Sequence, residues 1–474
     1  MESDKNFLQQ RVPLTLRPLQ KEAVERMINF LSSNPERGVY NASEAGCGKT
    51  AMTIAAINSL FSSKLLSNNL PNQNSNLKTL IICPSVVKLN WRDELNLWLN
   101  TDFLPITCHI VPSAKEIKNL KNPANYGHIP SNFTIISYDL ARKKEVAKVL
   151  ASLKFDILIL DEAHKCKATQ SLTTNSVLRT IWPTTTYRIC LSGTPFTTSI
   201  EDCWTTFSRL APSKFPDYYS FVKKYCYEDR TPWGIKYYGL KNHEELRSII
   251  RSHFFIRYTK EEMAPELPEK NWIRIPLSYK EYGIIPTKEE LEAHKVYIGL
   301  LEEAIGEGKA IPQPPVHFQT ERKRQGLKKL SAVLEVVKDF VDNGIPTIVF
   351  FSFLETLQTF VKEMSTYQPS IIYGEVKESK RYDEIKRFQE GKTNLFISQI
   401  HAGGIGINLQ RAEHVVLAEM EYSPAVIGQA VDRAHRIGQT KTVNIYYPVV
   451  EDTIEIEAEK IVMMKAKMFR KVLE

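Results

Sequence analysis

The sequence lacks the features of a membrane or secreted protein. No window of its 474 residues offers the run of about 20 apolar residues that a membrane span needs. The N-terminus has no basic segment followed by an apolar run, so no secretory signal is expected. Cysteine is scarce, with seven residues and no Cys-x-x-Cys pair, which argues against a disulfide framework and a zinc site. We therefore expect an intracellular protein in which Cys83, Cys166 and Cys190, beside apolar runs, are core residues.

Acidic residues are fewer than basic ones, and the net charge is +8. This charge is compatible with a polyanionic partner but is weak evidence for one. Two segments, residues 321–329 and 465–471, are locally basic. Each is either a nucleic-acid contact or a solvated helix face, and composition does not decide between the two.

The length predicts roughly three structural units at about 150 residues per domain. No internal repeat is visible, which excludes a solenoid. Short apolar runs alternate with helical patterns, and this alternation predicts an α/β fold with parallel sheets in two successive blocks. The runs predicted as strands are residues 79–83, 134–137, 155–160, 187–191, 347–351, 394–397, 414–417 and 444–447.

Residues 42–50 have the composition of a phosphate-binding loop. They follow a short apolar run and precede a helical pattern that starts at Ala51. Gly46 and Gly48 let backbone N–H groups turn toward phosphates, and the following helix N-terminus adds partial positive charge. Lys49 is predicted to reach the β- and γ-phosphates and the Thr50 hydroxyl to ligate Mg²⁺.

An acidic pair follows the apolar run at residues 155–160. We predict that Asp161 holds Mg²⁺ and that Glu162 orients or deprotonates the attacking water. By itself, an acidic pair after a strand is more typical of helix capping than of catalysis. Because it follows the Gly-Lys-Thr loop by about a hundred residues in the same α/β block, the two motifs together indicate a nucleoside triphosphatase that uses ATP and Mg²⁺.

These motifs occur among segments that resemble the Swi/Snf-type ATPases of helicase superfamily two, over about residues 14–460. The overall length and the Gly-Leu-Lys-Lys-Leu segment from Gly326 are closer to the compact annealing-helicase branch than to nucleosome remodellers. Residues 255–268 are similar to a segment specific to this family, where the chain leaves the first lobe, and residues 191–196 to the motif that links the two sites. The resemblance implies an adenine-binding role for Arg17 and Gln20. It also implies nucleic-acid contacts from Pro84, Ser85, Asn90, Trp91, Ser137, Gly403 and Gly404.

The second block carries the best match to the family. Gly406 and Gln429 are implied to contact the nucleotide. Arg433 and Arg436 stand three residues apart, a spacing that places both on one face of a helix, and both are predicted to point at the γ-phosphate. The sequence departs from the family pattern at Ser43 in the phosphate-binding loop and at residues 400–401 and 419–424.

The resemblance implies two tandem RecA-like parallel-sheet lobes with a small helical insertion. We predict lobe one at residues 1–265, a Pro-rich linker with a small protrusion at 266–325, lobe two at 326–450 and a C-terminal brace helix at 451–474. The ATPase groups are divided between the lobes, so hydrolysis is expected only when the cleft closes by a hinge motion at the linker.

The predicted function is that of an ATP-dependent translocase that grips duplex or forked DNA without sequence preference. Contacts to phosphate make such binding independent of sequence and strongly dependent on salt. We expect a monomer with a protein partner for targeting, cytoplasmic and nucleoid-associated in a bacterial or viral source and nuclear in a eukaryote. Three alternatives stay open: an RNA or single-strand helicase, a nucleotide-gated DNA clamp without useful turnover, and a motor that works with a separate nuclease. The biological pathway is likewise open.

Overall fold

The computed structural model describes most of the chain. The described residues are 15–66, 77–99, 107–119, 132–195, 200–231, 234–238, 240–284, 287–306, 317–403, 407–456 and 458–463. Gly404, Gly406 and the basic segment 465–471 lie outside them. Among these residues no helix combines the length and the apolarity that crossing a bilayer would require.

The strands lie in two blocks, as the sequence predicts. They are β1 (Gly38–Asn41), β2 (Thr79–Cys83), β3 (Cys108–Ile110), β4 (Phe133–Ser137), β5 (Ile157–Asp161), β6 (Tyr187–Leu191), β7 (Tyr227–Thr231), β8 (Gly234–Tyr238), β9 (Phe255–Ile256), β10 (Lys270–Leu277), β11 (Thr347–Phe351), β12 (Ser370–Ile372), β13 (Leu395–Gln399), β14 (His414–Leu417) and β15 (Val443–Val450).

Helices fill most of the connections between strands. They are α1 (Pro18–Ser33), α2 (Lys49–Leu66), α3 (Lys88–Trp98), α4 (Ala114–Asn119), α5 (Tyr138–Ala141), α6 (Lys144–Ser152), α7 (Leu172–Thr174), α8 (Trp204–Leu210), α9 (Tyr218–Tyr225), α10 (His243–His253), α11 (Lys260–Met263), α12 (Lys288–Gly306), α13 (His317–Lys328), α14 (Leu330–Asp342), α15 (Leu354–Glu363), α16 (Glu378–Gln389), α17 (Ile400–Gly403) and α18 (Pro424–Val431).

The first sheet is parallel and has the order β3-β4-β2-β5-β6-β1-β9. Alternate residues of each central strand enter different cores, because side chains point to opposite faces of a strand in turn. On β5, Leu158 and Leu160 pack into one cluster, whereas Ile157 and Ile159 pack into the other. A sheet covered on both faces needs apolar residues at successive positions, which explains the continuous apolar runs of the sequence.

The second sheet is also parallel, with the order β10-β15-β14-β11-β13-β12. On β11, Ile348 and Phe350 pack on one face and Val349 and Phe351 on the other. Together with the first sheet, this arrangement confirms the predicted class of two tandem α/β lobes.

The segment predicted as a linker contains part of the second sheet. Strand β10 pairs with β15 along its whole length, from Lys270 opposite Val443 to Leu277 opposite Val450. Residues 266–325 are therefore not a linker throughout: Pro-rich composition obscured an edge strand, a position where proline is tolerated. The predicted helix near residues 288–305 is present as α12. The four domain boundaries stay a prediction. Of the predicted brace helix, residues 451–453 form a turn, residues 454–456 and 458–463 are helical, and residues 457 and 464–474 lie outside the described residues.

The basic stretch at residues 321–329 is divided between core and surface. Arg322 and Lys329 are buried, and Lys329 donates to Glu455 at 2.6 Å and to the carbonyl of Pro448 at 2.7 Å. Lys323 pairs with Glu355 on the exposed side. The buried half of this stretch consequently stabilises lobe two. The seven cysteines all lie within the described residues, and none of them is in a disulfide. Cys83, Cys166 and Cys190 are buried, which confirms the prediction that they are core residues.

Candidate functional site

The phosphate loop, residues 42–48, connects the carboxyl end of β1 to the N-terminus of α2. Gly46 and Gly48 have φ values of 88° and 83°, a conformation that glycine adopts without steric cost. The Lys49 ammonium donates to the carbonyls of Ser43 at 2.8 Å and of Glu44 at 3.0 Å, so the side chain curls over its own loop. Burial lowers the pKa of Lys49, although the nearby Glu162 carboxylate opposes this shift. An ammonium group beside a helix N-terminus is well placed to bind a phosphate.

Asp161 ends β5 beside the phosphate loop, as expected where parallel strands present their carboxyl ends at one edge. Its Oδ2 accepts a 2.8 Å hydrogen bond from the indole Nε1 of Trp91 on α3. Burial and the adjacent Glu162 charge raise the pKa of Asp161 to about 6. A cation would stabilise the ionised form of this buried carboxylate, which makes Asp161 a chemically suitable Mg²⁺ ligand together with the Thr50 hydroxyl on the first turn of α2.

Glu162 follows with φ 55°, a left-handed backbone conformation that is uncommon for residues other than glycine. Its Oε2 lies 3.3 Å from His164 Nδ1 and accepts from the Ser192 hydroxyl at 3.3 Å. Burial alone would raise the pKa of Glu162, but His164 and then Lys49 lower it. The carboxylate is therefore ionised at neutral pH, the state in which it can accept a proton from water.

Residues 192–195 follow β6 in lobe one and contact lobe two. A Cβ built on Gly193 would lie 3.1 Å from the Ala45 nitrogen and 3.4 Å from Lys49 Nζ, so only glycine fits against the phosphate loop there without displacement. Gln429 Nε2 of lobe two donates to the Thr194 hydroxyl at 2.9 Å. The segment thus contacts both the phosphate loop and the second lobe.

The arginine loop, residues 432–438, follows α18 and faces the phosphate loop. The prediction that Arg433 and Arg436 lie on a helix is wrong, because α18 ends at Val431, Arg433 follows in a turn and Arg436 in a bend. Their side chains still share one side, since each Nη1 lies 3.5 Å from the Ile407 carbonyl. A Cβ built on Gly46 would lie 2.9 Å from the Cβ of Arg436, so the two loops are in contact across the cleft.

Burial and then the neighbouring Arg433 charge lower the pKa of Arg436 to about 10. Burial likewise lowers the pKa of Arg433, although the Glu162 charge opposes that shift. Lys49 lies close enough to Arg433 for their charges to interact. A site in which buried cations repel one another has the electrostatics to hold a polyanion.

A connecting segment, residues 257–270, links the two sheets and holds the arginine loop. Lys260 Nζ lies 2.5 Å from Asp432 Oδ1 and donates to the His435 carbonyl at 2.6 Å. Lys270 Nζ reaches the same Asp432 oxygen at 2.8 Å. His435 Nε2 lies 2.6 Å from the Pro268 carbonyl, which can only accept, so this nitrogen carries the proton.

The connecting segment also holds the phosphate loop. Arg257 Nη1 donates to the Ala42 carbonyl at 2.8 Å. The backbone nitrogen of Lys260 donates to Glu44 Oε2 at 3.0 Å. One short segment therefore touches both halves of the site.

The two residues predicted to bind adenine lie beside the phosphate loop. Gln20 is 7% exposed, and its Nε2 donates to the Cys47 carbonyl at 3.0 Å while its Oε1 accepts from the Arg17 backbone nitrogen at 2.9 Å. Arg17 pairs with Glu266 at 2.5 Å. Their adenine-binding role stays a prediction.

Two of the residues predicted to contact nucleic acid, Trp91 and Ser137, are buried inside the protein. Trp91 is 1% exposed and bonded to Asp161, so its ring is not available to nucleic acid. Ser137 is 4% exposed and its hydroxyl accepts from the Leu140 nitrogen as the N-cap of α5. Both were implied by position in a motif, which does not reveal the direction of a side chain. Pro84, Ser85 and Asn90 lie at the start of α3 or just before it, and Gly403 ends α17; their contacts stay a prediction.

The sequence did not predict a role for several residues that contact the site. Lys260, Lys270 and His435 were given no role, because their partners lie more than 160 residues away in the chain. Asp93 and Tyr382 form a further contact between lobes, with the Tyr382 hydroxyl 3.0 Å from Asp93 Oδ2. No local pattern marks such pairs.

Two family models match the chain. The model of the SNF2-related domain matches residues 19–290, and that of the helicase conserved C-terminal domain matches residues 328–438. The first covers the phosphate loop, Asp161, Glu162 and the connecting segment, and the second covers the arginine loop.

Similar proteins include the human DNA annealing helicase and endonuclease ZRANB3, 27% identical over 95% of this chain and 40% of that protein. The SWI/SNF-related matrix-associated actin-dependent regulator of chromatin subfamily A-like protein 1 of Xenopus tropicalis is 26% identical over 96% of this chain and 44% of that protein. The chain thus spans less than half the length of these relatives. A solved structure titled Sulfolobus solfataricus SWI2/SNF2 ATPase core in complex with dsDNA is 22% identical, covers 98% of both chains and has a TM-score of 0.43, too low to support a conclusion about this chain.

Proposed function

Because this chain belongs to the SNF2-related domain family, we propose that it is a DNA-dependent ATPase that moves along duplex or branched DNA and remodels DNA structures or protein–DNA complexes. The observation that carries the proposal is the contact between the two half-sites. The Cβ of Arg436 lies within van der Waals distance of the Gly46 position, and Gln429 bonds Thr194 across the same cleft. A triphosphate at Lys49 would then lie between the lobes.

The proposed roles follow from position and charge. Lys49 leaves its loop carbonyls to bind the β- and γ-phosphates, and the ionised Glu162 orients the attacking water and accepts its proton. Arg433 and Arg436 stabilise the charge that develops on the γ-phosphate. Thr50 and Asp161 would hold Mg²⁺, which supplies charge neutralisation on the phosphate oxygens.

Hydrolysis would be coupled to DNA through the division of these groups between lobes. Arginine fingers supplied by a second lobe act only when that lobe is close. If both lobes also hold the phosphate backbone of DNA, a cycle of closing and opening shifts one lobe along the strand. Only residues 257–269 connect the two sheets before β10 begins, so we place the hinge there rather than throughout residues 266–325.

Double-stranded DNA is the substrate that we propose, on two grounds. The similar human protein is named a DNA annealing helicase. In addition, Trp91 is buried and so does not offer a ring for stacking single-stranded bases, which single-strand binders commonly use. The contacts would go mainly to phosphate, so binding should be independent of sequence and weaken steeply with salt.

The test is ATP hydrolysis by the full chain with duplex DNA, forked DNA, single-stranded DNA and RNA in parallel, with Lys49→Ala as the inactive control. We expect duplex or forked DNA to stimulate the wild-type protein most. Stimulation by RNA or single strands alone would indicate the corresponding helicase instead. ATP-dependent DNA binding without turnover would indicate a nucleotide-gated clamp.

A further inference from the structure

Lys260 is the residue that the two halves of the proposed ATP site share. Its side chain is 8% exposed and bonds Asp432 and the His435 carbonyl in the arginine loop. Its backbone nitrogen bonds Glu44 in the phosphate loop. A Cβ built on Gly46 would lie 3.3 Å from Lys260 Cε, so the lysine stem packs directly against the phosphate loop.

We propose that Lys260 is a positioning residue that sets the arginine loop against the phosphate loop, so that Arg433 and Arg436 reach the γ-phosphate of bound ATP. This inference rests on the proposed ATPase function. Lys260 does not itself touch the phosphates; it acts by holding Asp432, the residue immediately before Arg433, in one place.

Lys260 makes more contacts with the arginine loop than Lys270 does, so we expect it to position the loop more strongly. Both ammonium groups contact Asp432 Oδ1, but Lys260 also donates to the His435 carbonyl and is the more deeply buried of the two. A buried carboxylate that loses its closest cation is left poorly compensated, and its loop is expected to move. A displacement of about 1 Å in a catalytic group costs on the order of 10²-fold in rate.

The charge of Lys260 offers a test of its own. Burial lowers the pKa of Lys260 to about 8, with the Asp432 charge opposing the shift. Among the groups around it, burial lowers the pKa of His435 to about 4 and raises that of Cys47 to about 11, while Lys270 and Lys260 lower that of Asp432 to about 2 against the effect of burial. The groups facing Lys260 are Asp432, Lys270, His435, Cys47, Glu44 and Arg436.

The protonation state of Lys260 determines how the turnover number should depend on pH. Below pH 8 Lys260 is charged and holds Asp432; as the pH rises through 8, the ammonium loses its proton and the ion pair is lost. The turnover number of the wild-type protein should therefore fall on the alkaline side of pH 8. An arginine at this position keeps its charge and should remove that fall.

The experiment compares Lys260→Met, Lys260→Arg and Lys270→Met with Lys21→Met, which makes the same change at an exposed lysine of α1. Duplex-stimulated kcat, the Kd of a fluorescent ATP analogue and the melting temperature are measured for each, and the pH profile of kcat for wild type and Lys260→Arg. We expect Lys260→Met to lose on the order of 10²-fold in kcat with little change in Kd. Lys270→Met should lose less, Lys21→Met nothing, and Lys260→Arg should regain most of the activity without the alkaline fall.

The outcomes separate this inference from the function on which it rests. An inactive wild-type protein would refute the ATPase proposal itself. An active wild type with unchanged kcat in Lys260→Met, or an equal loss of ATP binding and turnover, would refute the positioning role. If Lys260→Met does not fold, Lys260→Arg still decides, because a pH profile identical to wild type would contradict the assignment.

Discussion

The two halves of the candidate site are held in different ways. The phosphate loop takes its shape from nearby residues, because Lys49 bonds carbonyls five and six residues away and two positive-φ glycines form the turn. The connecting segment adds hydrogen bonds from Arg257 and Lys260 to this loop. The arginine loop depends on distant residues, because Asp432 is held by Lys260 and Lys270 of the connecting segment. The first half is thus formed by local conformation, and the second half is a product of the interface between lobes. We expect substitutions in the two halves to differ in their kinetic effects.

The largest expected effects come from the first half. Lys49→Ala should lose ATP binding together with turnover, because the phosphates lose their nearest cation. Glu162→Gln should keep ATP binding and lose about 10²–10⁴-fold in kcat, the usual contribution of a general base. DNA-stimulated phosphate release and the Kd of a fluorescent ATP analogue measure both. Turnover at the wild-type rate in either variant would overturn the site assignment.

Arg436→Ala tests the second half. It should leave ATP binding unchanged and lower kcat by at least about a hundredfold. Arginine fingers contribute about 10³–10⁵ to kcat, so the loss can be larger. Single-turnover hydrolysis and equilibrium binding separate the two quantities. Parallel losses of binding and turnover would mean that Arg436 is structural, and the proposed difference between the halves would disappear.

A smaller effect is expected where the first half depends on a distant residue. Trp91→Phe keeps the buried ring but removes the 2.8 Å hydrogen bond to Asp161. Loss of a partner that orients a metal ligand typically costs about 10- to 100-fold in metal affinity or activity, and we expect the lower end here. The readout is the Mg²⁺ concentration that gives half-maximal hydrolysis, which should rise. The control is Trp204→Phe in α8, and an unchanged Mg²⁺ requirement in Trp91→Phe would show that the bond is only structural.

The smallest expected effect on turnover comes from a buried ion pair away from the cleft. Lys329→Met removes the partner of Glu455 in lobe two, which should lower the free energy of unfolding by about 3–5 kcal/mol. Its kcat at a temperature where the variant is folded should stay near that of wild type. Thermal unfolding followed by circular dichroism, alongside the ATPase assay, measures both. A large loss of kcat in the folded variant would mean that lobe stability, rather than local positioning, controls the arginine loop.

The prediction of the fold from sequence succeeded where the signal was local and repeated. Apolar runs such as residues 79–83 and 347–351 are strands of parallel sheets because both of their faces are covered. It failed at residues 270–277, where proline and charged residues on an edge strand look like a linker. The prediction of a helix around Arg433 and Arg436 was also wrong, because a spacing of three residues is compatible with a helix but does not require one.

The sequence by itself determined the two α/β blocks and the types of side chain available at each proposed half-site, since the glycines, Lys49, Asp161 and the arginine pair can be identified from their local motifs. Burial in the folded protein then sets the pKa of Asp161 and of Arg436. Tertiary structure alone decided that Trp91 supports Asp161 and that Lys260 joins the two loops. The physical reason is that both contacts depend on the packing of side chains 70 to more than 170 residues apart, which no local pattern encodes.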